Sequence, residues 1–257
     1  MSIKTKSLSY AINEKRILDD ITLEILPGEV CTVIGPNGSG KSTLLKIISG
    51  DIQSKSERVF YENIRLSKIS LKKRASIRSV MSQSQAIMFD YTVRDILSMG
   101  WLGFQAAEDL DQYEILLKKI INECDIKLLL DRKFNILSEG EQRRIHFART
   151  LVQLDYDSKR AHEKYLFLDE PTANLDLYWE IKLMQIVNKI AKKGIGVFLV
   201  LHNLELAFNF SDKIALINDG VLRNFGKPQE VMKNDILSSV YKTEIEVDLE
   251  NKRINYY

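Results

Sequence analysis

The chain has 257 residues, enough for one large domain, with 45% hydrophobic residues, the proportion of an ordinary globular protein. Lys and Arg total 37 against 35 Asp and Glu, a net charge of +2, so no basic surplus argues for a nucleic-acid partner and none is expected. The N-terminal residues lack the apolar core of a secretory leader, and no run approaches the ~20 apolar residues of a membrane span. With two cysteines, Cys31 and Cys124, a reduced compartment fits best, and neither thiol is expected to be functional.

Residues 1–34 read as short apolar strands separated by turns, one of them at Pro27-Gly28-Glu29, and ending in the apolar run Val30 to Ile34. Gly35-Pro36-Asn37-Gly38-Ser39-Gly40-Lys41-Ser42 follows, with Thr43 opening an apolar helix. Strand, glycine-rich loop and helix in this order form the phosphate-binding pattern G-x-x-x-x-G-K-[ST]. Its glycines let backbone N–H groups point inward, the helix N-terminus adds partial positive charge, Lys41 can reach β- and γ-phosphates, and Ser42 can hold Mg²⁺. Thr43 falls near the α-phosphate. A nucleoside triphosphate with Mg²⁺ is therefore the expected ligand, and the family resemblance given below implies that it is ATP.

Further strands are expected at 58–61 and 77–82. Residues 92–153 read mostly as helix, most clearly along Tyr113, Leu116, Leu117, Ile120, Ile121 and Cys124. Beyond 164, strands (Tyr165 to Leu168, Gly196 to Val200) alternate with a helix over 176–193, and their continuous apolar runs suit a parallel sheet covered on both faces. Small antiparallel strands around two short helices are expected over 213–225 and 244–257. The predicted fold is α/β: a P-loop NTPase (RecA-like) core with an antiparallel β subdomain and an inserted α-helical subdomain, the core spanning 1–83 and 155–257 and the insertion 84–154.

The strand Leu166 to Leu168 ends in Asp169-Glu170. A carboxylate at a strand end can hold Mg²⁺ through water, and its neighbour can act as general base toward the attacking water. Together with the phosphate loop, this set resembles the ATP-binding subunit of an ABC transporter over nearly the whole chain. The family signature is similar to Leu137-Ser138-Glu139-Gly140-Glu141-Gln142, with Ser138, Gly140 and Glu141 expected to face a γ-phosphate held by a second copy; the family usually has Gly where Glu139 stands, and a carboxylate beside a phosphate is repulsive unless it points away.

The resemblance further implies a head-to-tail homodimer with Asp176 in the dimer loop. Gln83 would sense Mg²⁺ and meet the membrane subunit (Gln85, two residues on, is the alternative), His202 would contact the γ-phosphate, and Tyr10 would stack on adenine. His146 and His162 are expected on a helix face and in solvent. The segment from Gln85 to Gly100 is similar to importers of iron complexes and cobalamin, and the long charged connection from Asp155 to Lys164 resembles the haem group among them, ahead of ferric siderophore systems. The expected partners are an integral membrane permease and, indirectly, a periplasmic or surface substrate-binding protein, with this subunit peripheral on the cytoplasmic face of the cell membrane. A soluble remodelling ATPase is the competing class, disfavoured because the chain carries one motif set and no sustained heptads.

Overall fold

The computed structural model describes residues 2–54, 57–83, 87, 89–101, 107–158 and 160–257; the side chains of 107–110 are not described, and Gln85 falls outside the described residues. Among the described residues, twelve strands run in chain order as β1 (Ile3–Ile12), β2 (Lys15–Ile25), β3 (Val30–Ile34), β4 (Val59–Tyr61), β5 (Ile64–Arg65), β6 (Arg78–Met81), β7 (Tyr165–Asp169), β8 (Gly196–Val200), β9 (Lys213–Asn218), β10 (Val221–Gly226), β11 (Ile245–Asp248) and β12 (Arg253–Tyr256). The α-helices are α1 (Lys41–Ser49), α2 (Leu71–Ile77), α3 (Val93–Ser98), α4 (Ala107–Glu123), α5 (Glu139–Leu154), α6 (Leu177–Ala191), α7 (Leu204–Phe210), α8 (Pro228–Val231) and α9 (Asn234–Tyr241).

Ten strands form one sheet in the order β5-β4-β1-β2-β10-β9-β3-β8-β7-β6, and β11 pairs with β12 apart from it. The β9-β3-β8-β7-β6 portion is parallel, while β1, β2, β4 and β5 pair antiparallel. Every residue of β3, β7 and β8 is buried, which is why these strands read as unbroken apolar runs rather than as an alternation. One apolar cluster lies between α1 and the antiparallel strands, built from Leu44, Leu45, Ile47 and Ile48 against Leu8, Leu18 and Ile21. A second joins the opposite face of the parallel strands to helices α3 to α7 without a break, running from Met81, Leu166 and Leu168 into Ile96, Ile120, Ala148 and Leu183.

Three expectations change. β1 and β2 are long strands of 10 and 11 residues, interrupted by irregular register rather than by turns. β9 is not part of a small peripheral hairpin: it pairs parallel with β3 on one side and antiparallel with β10 on the other, so Ile214 to Ile217 are buried in the main sheet. Helix α2 was missed, although Ser70 caps it by accepting from Lys73 N–H, a start signal legible in the sequence. The expected amphipathic stripe is α4, with Leu116, Ile120, Ile121 and Cys124 buried.

The connection after α5 is less solvated than its charges suggest. Tyr156 is fully buried and donates from its hydroxyl to Glu123 at 2.5 Å. Lys164 folds back to donate to the carbonyls of Leu154 and Asp155 at 2.8 and 3.0 Å, closing the C-terminal end of α5.

Candidate functional site

The strand register explains how distant segments meet. Val33 pairs with Val200, Val200 with Asp169, and Leu168 with Met81, so β3, β8, β7 and β6 end nearly level. Their carboxyl ends deliver the phosphate loop, His202, Asp169-Glu170 and Gln83 to one edge, the place where open α/β sheets bind ligands. A cleft there is lined by Ile17, Asn37, Gly38, Ser39, Gly40, Lys41, Ser42, Thr43, Gln83 and Glu170.

Loop geometry depends on its glycines. Gly35 has φ +148°, and a Cβ there would stand 1.9 Å from the carbonyl oxygen of Ile217 on the neighbouring strand. Gly40 has φ +102° and backs onto Leu18 and the Ile17 carbonyl, with 2.8 and 2.9 Å to an added Cβ. Pro36 closes the turn by accepting from Ser39 N–H. The Lys41 ammonium donates to the carbonyls of Gly35 and Pro36, both at 2.8 Å. Burial pulls its pKa below the usual lysine value, an effect opposed by Glu170 and Asp169.

Ser42 donates to Asp169 Oδ1 at 2.9 Å, while Asp169 Oδ2 is buried with no hydrogen-bond partner among the described residues. A serine hydroxyl and a buried carboxylate oxygen aimed at a phosphate loop are hard oxygen donors, the chemistry that suits Mg²⁺ shared with substrate phosphates. The residues present therefore fit that ion. Burial raises the Asp169 carboxyl above its model-compound value of 3.8, with the Ser42 bond pulling the other way and Glu170 adding to the rise. A raised folded-state value means that acid favours the folded form. The penalty for the charged carboxylate accrues as pH climbs from 3.8 through the folded value and persists above it. Asp169→Asn should therefore raise Tm of the nucleotide-free protein at neutral pH by about 2 °C, a gain that shrinks toward pH 4, while abolishing the extra stabilisation given by Mg²⁺ with ATP. Thermal scans with and without Mg²⁺-ATP check both halves, and an unchanged Mg²⁺ response in the variant contradicts the assignment of Asp169.

Glu170 sits at φ +51°, a left-handed backbone that a non-glycine residue adopts at a cost, here where the strand gives way to the following turn. Its carboxylate accepts from Gln83 Nε2 at 2.8 Å on Oε2 and meets His202 Nε2 at 2.5 Å on Oε1. A carboxylate fixed between an amide and an imidazole, beside a loop built for phosphates, can orient a water and take its proton.

Ser138 caps α5 in a full capping box: its hydroxyl accepts from Glu141 N–H at 3.3 Å, and the Glu141 carboxylate accepts from Ser138 N–H at 2.8 Å. Glu141 therefore braces the helix start, a role that the spacing Ser-x-x-Glu could have disclosed. Glu139 turns toward its own chain, accepting from Asn174 Nδ2 at 2.9 Å, so the carboxylate that stands in place of a glycine is held by the 171–176 loop. Gly140 packs beside the same loop, where an added Cβ would stand 3.0 Å from the Asn174 carbonyl oxygen. Asp176 caps α6 by accepting from Trp179 N–H at 2.9 Å.

Tyr10 lies on β1, partly buried against the same apolar cluster as Ile17, which lines the cleft. His146 is buried on α5, edge-on to Phe134, and His162 is exposed. Burial pushes both cysteine thiols up to about 12, consistent with core positions. Sequence reasoning did not single out Ile17, which lines the cleft, or Arg143, which donates to the Gln83 carbonyl at 2.9 Å; no spacing rule marks either.

Residues 18–173 match the family model described as ABC transporter. A hemin import ATP-binding protein of Nitrobacter winogradskyi is 36% identical over 93% of this chain and 88% of its own length. A relative of the same name from Rhodopseudomonas palustris (strain BisA53) is 34% identical over 95% and 89%. Among solved structures, a dimeric ATP-binding cassette in a post-hydrolysis state bound to ADP and Pi superposes with a TM-score of 0.73 at 24% identity, covering 88% of this chain and 98% of that one. No helix among the described residues is long and apolar enough to cross a membrane. The phosphate loop, the paired strand-end carboxylates and the matched span agree: the chain belongs to the ABC transporter family, as a nucleotide-binding ATPase coupled to transport.

Proposed function

We propose that this chain is the ATP-hydrolysing subunit of a haem importer, working as a head-to-tail homodimer beneath a separate integral membrane permease. The observation that carries the cargo is the similarity to hemin import ATP-binding proteins over more than nine-tenths of the chain. The long charged connection from 155 to 164, anchored by Tyr156 and Lys164, supports it. A periplasmic or surface haem-binding protein would deliver the cargo, and the subunit would sit peripherally on the cytoplasmic face of the membrane.

In the proposed cycle the loop from Gly35 to Thr43 binds the ATP phosphates, with the Lys41 ammonium released from the Gly35 and Pro36 carbonyls onto the β- and γ-phosphates. Ser42, Asp169 and Gln83 would hold Mg²⁺, which would supply charge neutralisation to the phosphates. Glu170 takes the proton of the attacking water, and His202 steadies Glu170 and the γ-phosphate. The start of α5, at Ser138 and Gly140, faces the γ-phosphate bound by the partner copy, and Asp176 sits at the dimer contact. Residues 84–154 form the helical unit that passes closure to the permease, a shift in populations driven by contacts with the γ-phosphate.

Lys41→Ala should weaken ATP binding by about 10–100-fold, since an ammonium loses charge-assisted bonds to phosphate. Equilibrium binding of a fluorescent ATP analogue measures this, and parent-like affinity contradicts the loop assignment. Cargo and partners are tested by affinity capture of the chain from detergent-solubilised membranes of its source, followed by haem-stimulated ATPase measurements on the captured complex. Recovery of a polytopic permease and stimulation by haem supports the proposal. Stimulation only by a ferric siderophore or cobalamin reassigns the cargo, and recovery of soluble proteins alone overturns the transport role.

A further inference from the structure

We infer that Arg143 is a positioning residue for the hydrolytic step, tying the signature helix to Glu170 within the same chain. The inference rests on the proposed role of Glu170. Arg143 stands on the first turns of α5, and its half-buried guanidinium donates from Nη1 to the Gln83 carbonyl at 2.9 Å and from Nε to the Ala173 carbonyl at 3.4 Å. Both acceptors belong to the frame of Glu170. Gln83 donates from its side chain to Glu170 Oε2 at 2.8 Å. Ala173 closes the turn that follows Glu170 by donating its N–H to the Glu170 carbonyl at 3.3 Å. One planar group thus holds the carboxylate from two sides, through the amide that orients it and through the turn that sets its left-handed backbone.

The charge has a local reason to stay put. Burial acts against the guanidinium, and Glu170, Asp169 and Glu139 oppose that effect. Arginine suits the position because its rigid fork spans two carbonyls at once, whereas a lysine ammonium is a single point donor. The bond from Asn174 to Glu139 joins the same loop to the same helix turn, so α5 and the 171–176 loop are fastened at two points. A movement of α5 is therefore carried to the carboxylate without passing through the phosphate loop.

The test is a double-mutant cycle on the purified full chain, reading kcat and KM for ATP together with Tm. Arg143→Ala should lower kcat about tenfold with KM little changed, because the phosphate loop is untouched and only alignment is lost. Gln83→Ala should lower kcat by itself, and the double variant should lose less than the product of the two single losses, since removal of the amide takes away one of the two routes from Arg143 to the carboxylate and leaves the one through the Ala173 turn. Arg143→Lys should recover part of the loss and keep the parental Tm. If Arg143→Ala is poorly folded, Arg143→Lys carries the test, and parental kcat in that variant overturns the inference. Losses that multiply across the cycle, or a kcat loss matched by a rise in KM, also overturn it. Glu170→Gln assayed alongside separates the two readings: near-normal hydrolysis there defeats the role of Glu170 whatever the cycle shows.

Discussion

Glu170→Gln should bind ATP with affinity close to the parent and hydrolyse it about 10²–10⁴ times more slowly. The two side chains have the same shape, so the packing of the turn and the left-handed backbone at 170 are kept. What disappears is an oxygen able to accept a proton at neutral pH. The neighbouring groups sharpen the expectation: His202 and Gln83 meet the two carboxylate oxygens separately, and both contacts suit an anion between them. A carboxamide can satisfy one of these partners as acceptor while presenting N–H to the other. The variant should accumulate in its ATP-bound dimer, visible by light scattering or gel filtration with ATP. Single-turnover hydrolysis is the decisive measurement, and a rate within a few-fold of the parent removes Glu170 from the chemistry.

Among the described glycines, Gly35→Ala should be the most damaging exchange. The added carbon would meet the Ile217 carbonyl oxygen at 1.9 Å and the Ser39 hydroxyl at 3.0 Å, at a φ of +148° that side chains rarely adopt. The obstacle is backbone in a buried strand: β9 is pinned to β3 through Ile34 and Leu216 and to β10 on its other side, so it cannot step back without opening the sheet. Overpacking combined with an unsuitable backbone angle costs about 3–5 kcal/mol, a fall in Tm of roughly 10 °C for a chain of this size. Gly38→Ala is the internal control. Its φ is also positive, at +78°, but no atom lies within 4 Å of the added carbon, so only the backbone cost of about 1 kcal/mol should appear. Equal destabilisation by the two variants would show that conformation rather than the approach of β9 governs the loop.

Chemistry-bearing residues were legible where a backbone constraint and a reactive group fall together in sequence. The phosphate loop and Asp169-Glu170 each sit at the end of a buried strand, and strand ends are marked by a sharp change from apolar to polar residues. Gln83 and His202 required the resemblance to a family, since a lone glutamine or histidine carries no spacing of its own; the level strand ends place both against Glu170. Contacts between segments far apart in sequence were invisible. Nothing around Arg143 announces that it reaches Gln83 and Ala173, and nothing around Glu139 announces Asn174, because such bonds arise only after the sheet register is set. β9 was misjudged for a related reason: four apolar residues in a row suit a short hairpin as well as a central strand until a parallel neighbour is known.

The unbroken apolar cluster between the parallel strands and the helical segment bears on how such proteins can be recombined. Met81, Leu166 and Leu168 of the sheet share one core with Ile96, Ile120 and Ala148 of the helices. A chimaera that grafts residues 84–154 from a relative would exchange half of that interface and leave the other half shaped for its former neighbour. Compatible grafts must carry the facing side chains of β6 and β7 along with the helices, and the natural unit of exchange is the helical segment together with those two strands.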